Sequence, residues 1–299
     1  MSAAAASGAR EQAQALAAAL PPLLAEAQRL AATVVMGAHG RRRAGPGAEF
    51  WQYRAAMPGD SLRMIDWRRS ARSDAPFIRE REWQAAQSVA LWVDTGRAME
   101  FSGAPAQRPE KGARARLLAL ALAALLLRGG ERVGLAAGSQ GMPRVTPRAG
   151  RGQLVHLASM LMAQRAEAER ADTAPAAAVP AGHLVMMSDF LGDSDALEAA
   201  VTAAAGRGAR GVLLQVLDPV EETFPYSGRT LFESLSGETR FETRQADDLR
   251  RRYQDRLAAR KHILHGLAQR VGWQYDCHHT DGAALGALIW LHNALEGQR

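Results

Sequence analysis

The spacing of hydrophobic positions changes along this 299-residue chain, and the changes mark its elements. After a small-residue stretch at Met1–Ala9, residues Leu16, Leu20, Leu23, Leu24, Leu30 and Val34 recur at helical intervals of three to four. Pro21-Pro22 falls inside that run. Proline removes a donor and clashes with the preceding turn, so two helical pieces are expected, the second starting at the prolines. Between Glu49 and Trp67 the period shortens. Glu49–Arg54 and Leu62–Trp67 mix aromatic or branched residues with charge on either side of Pro58-Gly59-Asp60, a turn signal. That pattern predicts an irregular β-hairpin. Beyond Ser88 the apolar runs become continuous, as in buried strands: SVALWV at 88–93, RVGLAA at 132–137, HLVMM at 183–187 and GVLLQVL at 211–217. Shorter strands are expected near 143–146 and at 272–277. Helices are expected at 114–127, 150–164, 194–206, 246–271 and from 281 to about 295. Asp193 or Ser194 is the expected N-cap of the third, and Asp281 or Thr280 of the last.

Strands that alternate with helices predict an α/β fold with a doubly wound, mainly parallel sheet. Residues 1–44 form an N-terminal helical segment and basic linker, 45–83 the β-hairpin module, and 84–299 the α/β domain. A stretch at 223–243 interrupts the alternation with Ser227-Gly228 and Ser236-Gly237, so a β excursion is expected there. In doubly wound sheets ligands bind beyond the carboxyl ends of the strands, at the topological switch point. Three of the expected strands are followed at once, or after one residue, by an acid: Asp94, Asp189 and Asp218.

Composition narrows the function classes. Hydrophobic residues make up 47% and charged residues 23%, the balance of a globular protein. The net charge is +6, yet Lys111 and Lys261 are the only lysines and the arginines are interspersed with acids. Arg41-Arg42-Arg43 reads as a solvated loop, and no nucleic-acid partner is expected. Cys277 stands alone, so neither an intramolecular disulfide nor a Cys-based zinc site is expected, and a reducing cytoplasm is the expected location. The longest apolar run, 117–127, is bounded by Arg116 and Arg128 and falls short of the roughly 18 residues of a membrane span. Glu11 and Glu26 make the N-terminus a poor signal peptide. Nucleophile-elbow, Gly-x-Gly-x-x-Gly and Walker patterns are absent, so no nucleotide site is expected. His278-His279 near Asp281 is the one close histidine group, and with no second cluster in sequence reach a metal site there is not expected.

The stretch GPGAEFWQYRAAMPGDSLRMIDWRRSAR at 45–72 carries a resemblance. Glu49, Phe50, Arg54, Pro58, Gly59, Asp60, Arg63, Ile65, Asp66, Trp67, Ala71 and Arg72 match the signature of the family called domain of unknown function 58. Asp218-Pro219, Glu222, Phe224-Pro225 and Gly228-Arg229 fit it further on. The resemblance implies a von Willebrand factor type A fold from about residue 84. It also implies partnership with a MoxR-type AAA+ ATPase in chaperone-like assembly or activation of an unidentified client complex, and it brings no established enzymatic activity.

Type A domains hold Mg²⁺ with an Asp-x-Ser-x-Ser loop, a Thr and a later Asp. Here the loop reads Asp94-Thr95-Gly96-Arg97-Ala98, so Asp94 fits and both serines are lost. Asp189 stands at the later Asp, and the stretch at the Thr position, 147–152, carries Arg148 and Arg151. Asp94 and Asp189 therefore form a degenerate metal site. No cofactor is expected, Mg²⁺ included, and Arg97 is a candidate to replace the cation by a fixed positive charge.

The signature residues Glu49, Arg54, Gly59, Asp60, Arg63, Asp66, Trp67 and Arg72 admit two readings. Glu49, Asp60 and Asp66 pair with Arg54, Arg63 and Arg72 to hold the hairpin, with Trp51, Tyr53 and Trp67 as core anchors; or the block is a protein-contact surface. The expectation is a non-catalytic adaptor. The alternatives are a metal-dependent hydrolase built on Asp94, Asp189 and Asp218, and a nucleic-acid binder using 244–270 and 41–43.

Overall fold

The sheet is ordered by which strands are buried on both faces. In the computed structural model, which describes residues 3–34, 44–57, 60–61, 63, 65–71, 75–82, 86–137, 144–167, 182–233, 240–243 and 246–297, two compact units separate. One comprises residues 36–86, the other residues 1–35 with 87–298.

The larger unit is built on six strands: β3 (Ser88–Val93), β4 (Arg132–Leu135), β5 (Val145–Arg148), β6 (His183–Ser188), β7 (Arg210–Leu217) and β10 (Gln274–His279). Their order is β10-β7-β6-β3-β4-β5, with all pairs parallel except β4 with β5. The central strands β6 and β7 are buried along almost their whole length, as expected when helices cover both faces. On one face lie α1 (Ala3–Thr33), α3 (Lys111–Arg128), α4 (Arg151–Glu167) and α8 (Ala284–Glu296), which pack on one another. The other face buries Ala90, Trp92, Leu184, Met186 and Leu213 against Leu197 and Val201 of α5 (Ser194–Gly206) and Leu264 and Leu267 of α7 (Ala246–Arg270). Successive strand residues point to opposite faces, so each strand feeds both layers. The mixed α/β, mostly parallel architecture expected from the alternation is present.

Several local expectations are corrected. Helix α1 runs through Pro21 and Pro22 without a break. Both prolines are exposed, so water can satisfy the carbonyls they orphan, while Ala27 and Ala31 are buried and Arg128 of α3 donates to the Gln28 carbonyl at 3.1 Å. Tertiary packing outweighs the local penalty. Asp193 caps α5 as expected, accepting from Asp195 and Ala196. Neither Thr280 nor Asp281 caps α8; its N-cap is Ala283, and Thr280 instead donates its hydroxyl to Asp218 at 3.1 Å. The expected excursion consists of the short helix α6 (Pro219–Thr223) and an antiparallel ribbon of β8 (Thr230–Glu233) and β9 (Arg240–Thr243).

In the smaller unit, β1 (Ala44–Ala55) pairs antiparallel with β2 (Phe77–Glu82), with register shifts around Phe50. The strand partner of β1 is thus β2. Leu62 and Met64 lie outside the described residues; among the described residues of 62–67 only Ile65 bridges, to Ile78, and Trp67–Ser70 forms a short helix, α2. The reason is Asp66. Its side chain accepts from the Arg69 amide at 3.0 Å, an N-cap that diverts the chain from extended geometry.

Candidate functional site

The strand order places β3 and β6 side by side while the chain leaves them toward opposite sides of the sheet, which is the switch point where doubly wound folds collect ligands. Asp94 and Asp189 leave those two strands, and Asp218 leaves β7. All three are buried.

Asp94 Oδ1 accepts from the Gly96 amide at 2.8 Å, and Oδ2 from the Ser188 hydroxyl at 2.5 Å. Asp189 Oδ1 accepts from the Leu191 amide at 3.0 Å. Its Oδ2 receives the Lys111 ammonium at 2.8 Å, and the same Nζ reaches Glu221 Oε1 at 2.6 Å. Lys111 opens α3, is 1% exposed and lies 5.7 Å from the centre of the Phe101 ring. Burial works against its charge, but Asp189 and Glu221 outweigh burial and hold its pKa above the usual lysine range. Burial likewise pushes the Glu221 carboxyl up, and Lys111 only partly offsets the shift.

Asp218 is fully buried and collects donors. Its carboxylate accepts from the amides of Val220 at 2.9 Å and Gly103 at 3.1 Å, from Thr280 Oγ1 at 3.1 Å and from Arg108 at 3.3 Å. Burial opposes the ionised form, yet these donors and the Arg108 charge hold the pKa below the ordinary aspartate value. Glu221 completes a capping box by accepting from the Asp218 amide at 2.8 Å. Phe190 and Phe224, which follow these acids, sit at φ of 51° and 44°, conformations bulky residues rarely adopt. Two arginines of α7 hold their carbonyls: Arg260 donates to Phe190 at 2.5 Å and Arg250 to Phe224 at 3.0 Å.

This donor set does not fit Mg²⁺. Gly96 and Ala98 bring no hydroxyl, and a lysine charge already lies on Asp189 where a divalent ion would have to be. A buried network in which each of these acids accepts from fixed donors is suited to holding the ends of β3, β6 and β7 in register.

In the smaller unit Arg54 grips Asp60 with two bonds, at 2.6 and 2.8 Å, and the Met57 amide adds a third at 2.7 Å. The Arg54 bond and the Met57 amide lower the Asp60 pKa to about 2. Asp66 caps α2 and accepts from the Tyr53 hydroxyl at 3.2 Å, while Arg69 lies over the rings of Tyr53 and Phe77. Arg63 is exposed, and Trp67 is 63% exposed. Glu49 lies on β1; Gly59 and Arg72 lie outside the described residues.

Sequence reasoning missed Lys111, Ser188 and Glu221. Lys111 carried a usable signal, because all but two of the 37 basic residues are arginine. A second group runs against the sequence expectation that neither Cys277 nor His278-His279 takes part in a metal site: Cys277 and His279, two apart on one face of β10, meet Glu222 of α6.

The model of the family described as protein of unknown function DUF58 matches residues 52–263. The chain belongs to that family. This DUF58 chain is 30% identical over 214 residues to the uncharacterized proteins Mb1516 of Mycobacterium bovis and Rv1480 of Mycobacterium tuberculosis. The match covers 67% of this chain and 64% of each relative, so the chain spans under two thirds of their length. Among solved structures it is similar to an aerotolerance-related membrane protein from Bacteroides fragilis, with a TM-score of 0.40 and 16% identity over 71% of this chain and 100% of that one. It is also similar to the conserved hypothetical protein BatB from Bacteroides thetaiotaomicron, with a TM-score of 0.40 and 14% identity over 70% of this chain and 97% of that one. Among the described residues of the DUF58 chain no helix is long and apolar enough to cross a membrane.

Proposed function

We propose that this chain is a non-catalytic protein-interaction module of von Willebrand factor type A type, which works in the cytoplasm with a MoxR-type AAA+ ATPase on a client complex. One observation carries the reading. In the 36–86 unit Arg54 and Asp60 pair with each other and Asp66 accepts from the Arg69 amide and the Tyr53 hydroxyl, while Trp67 and Met57 stand 63% and 67% exposed. Large apolar side chains amid satisfied polar groups are what protein interfaces use as anchors, with tryptophan the most enriched. The strand order with an antiparallel β5 at one edge, and the Lys111 charge on Asp189, favour a type A domain whose metal site has been replaced by an internal ion pair. The same ion pair disfavours a hydrolase on Asp94, Asp189 and Asp218, whose carboxylates already accept from protein donors.

Trp67→Ala tests the interface. Capture of the MoxR-type ATPase from the same genome by the full chain should weaken at least about tenfold, the range of an interface anchor. The circular dichroism spectrum and melting temperature should stay unchanged, because the side chain is exposed. Undiminished capture by a folded Trp67→Ala chain would sink the reading.

A further inference from the structure

Glu222, Cys277 and His279 converge from two elements on the β10 edge of the sheet. A carboxylate oxygen, the thiol sulfur and a ring nitrogen all lie within 4.8 Å of one another. His279 Nε2 is 3.0 Å from Glu222 Oε1 and is a buried atom without a hydrogen bond of good geometry. The three residues are half-buried, so an ion from solvent can reach them. A cation is already drawn to the spot: the Lys261 ammonium bonds Glu222 and acts on the Cys277 thiol, whose pKa burial raises and Lys261 only partly brings back down.

We infer that Glu222, Cys277 and His279 form a binding site for a divalent ion of the zinc class, with Lys261 as the resident charge the ion displaces. The chemistry of the donors selects the ion. One sulfur, one imidazole nitrogen and one carboxylate oxygen are the ligands of zinc and its borderline neighbours, whereas Mg²⁺ and Ca²⁺ require oxygen alone. Three protein ligands leave the fourth tetrahedral position to water. With metal–ligand distances of about 2.0–2.3 Å the ligand atoms must close to roughly 3.5 Å, a movement within reach of side-chain rotation. Lys261 is part-exposed on α7, and its flexible stem lets the ammonium swing to solvent as the ion enters. This site is separate from the strand-end cluster, where Lys111 is buried and has no such exit.

Cobalt(II) titration of the untagged, reduced full chain tests the inference directly. A thiolate-to-cobalt charge-transfer band in the near ultraviolet, saturating at one ion per chain and abolished by zinc, is the expected result. Because the chain has a single cysteine, such a band identifies Cys277 without any substitution. Cys277→Ser should remove the band, and Glu222→Gln and His279→Gln should each weaken binding at least about tenfold, since even outer partners of bound metals carry 10–100-fold. Lys261→Gln should tighten binding several-fold, because no ammonium need be expelled. Absence of a band up to millimolar cobalt, a band that survives Cys277→Ser, or weaker binding in Lys261→Gln would overturn the site.

Discussion

Lys111 shows how much one side chain can settle. Its ammonium is the counter-charge of two buried carboxylates, Asp189 and Glu221, at 2.8 and 2.6 Å. Removing one member of a buried ion pair leaves the others uncompensated, and that costs about 3–5 kcal/mol. Lys111→Met keeps the stem and deletes the charge, so its unfolding free energy from urea denaturation should fall by that amount, seen as a lower midpoint with the slope unchanged. A loss under about 1 kcal/mol would mean that Glu221, whose pKa burial raises, takes up a proton and relieves the site. The three strand-end aspartates were legible in the sequence because an acid after an apolar run is a local pattern. Their partner was not. Lys111 lies 78 residues from Asp189, and Arg97, a neighbour of Asp94 in sequence, was the nearer candidate for the fixed charge. Sequence proximity does not find a cation that the fold brings across the switch point on a helix start.

Elements were legible where one periodicity ran long enough and ambiguous where a single side chain decided the geometry. The buried strands β3, β6 and β7 and helix α5 follow from apolar runs and an Asp193 cap. Helix α2 and the β1–β2 pairing follow instead from Asp66 acting as a cap, a role its alternating neighbours conceal. Glycine positions add a further constraint that periodicity cannot see. A Cβ on Gly211, early in β7, would lie 2.4 Å from the Trp273 ring, which is itself buried and donates its indole N–H to the Ala209 carbonyl at 3.1 Å. The ring is pinned between strand and helix, so it cannot give way cheaply. Gly211→Ala should therefore destabilise the chain by about 1–3 kcal/mol, the cost of overpacking a filled core. Thermal melts that show no loss would mean Trp273 has room to move.

At the scale of the whole molecule, the doubly wound class was legible from the alternation, but the strand order and the contacts that lock the first turn of α3 to the far edge were not. Arg114 of α3 donates to the carbonyls of Thr280 at 2.8 Å and Gly282 at 2.5 Å, and contacts His278 Nε2 at 3.1 Å. Arginine has only donors, so Nε2 accepts and the imidazole is neutral. Burial, then the Arg114 charge, then His279 push the His278 pKa down to about 4, against the weaker pull of Asp281. In the unfolded chain it returns to 6.5. Between those values the unfolded state binds the extra proton, so acid favours unfolding: the stability held above pH 6.5 is lost progressively toward pH 4. At about 1.4 kcal/mol per pKa unit, the loss is on the order of 2–3 kcal/mol. Glu221 runs the other way, since its raised pKa makes the folded state bind a proton more readily as pH falls. His278→Gln separates the two, because glutamine can still accept from Arg114 but does not titrate. The variant should lose less stability than the parent between pH 6.5 and 4, by that same 2–3 kcal/mol, in urea titrations across the range. Parallel curves for the two proteins would show that His278 is not the group that couples folding to pH.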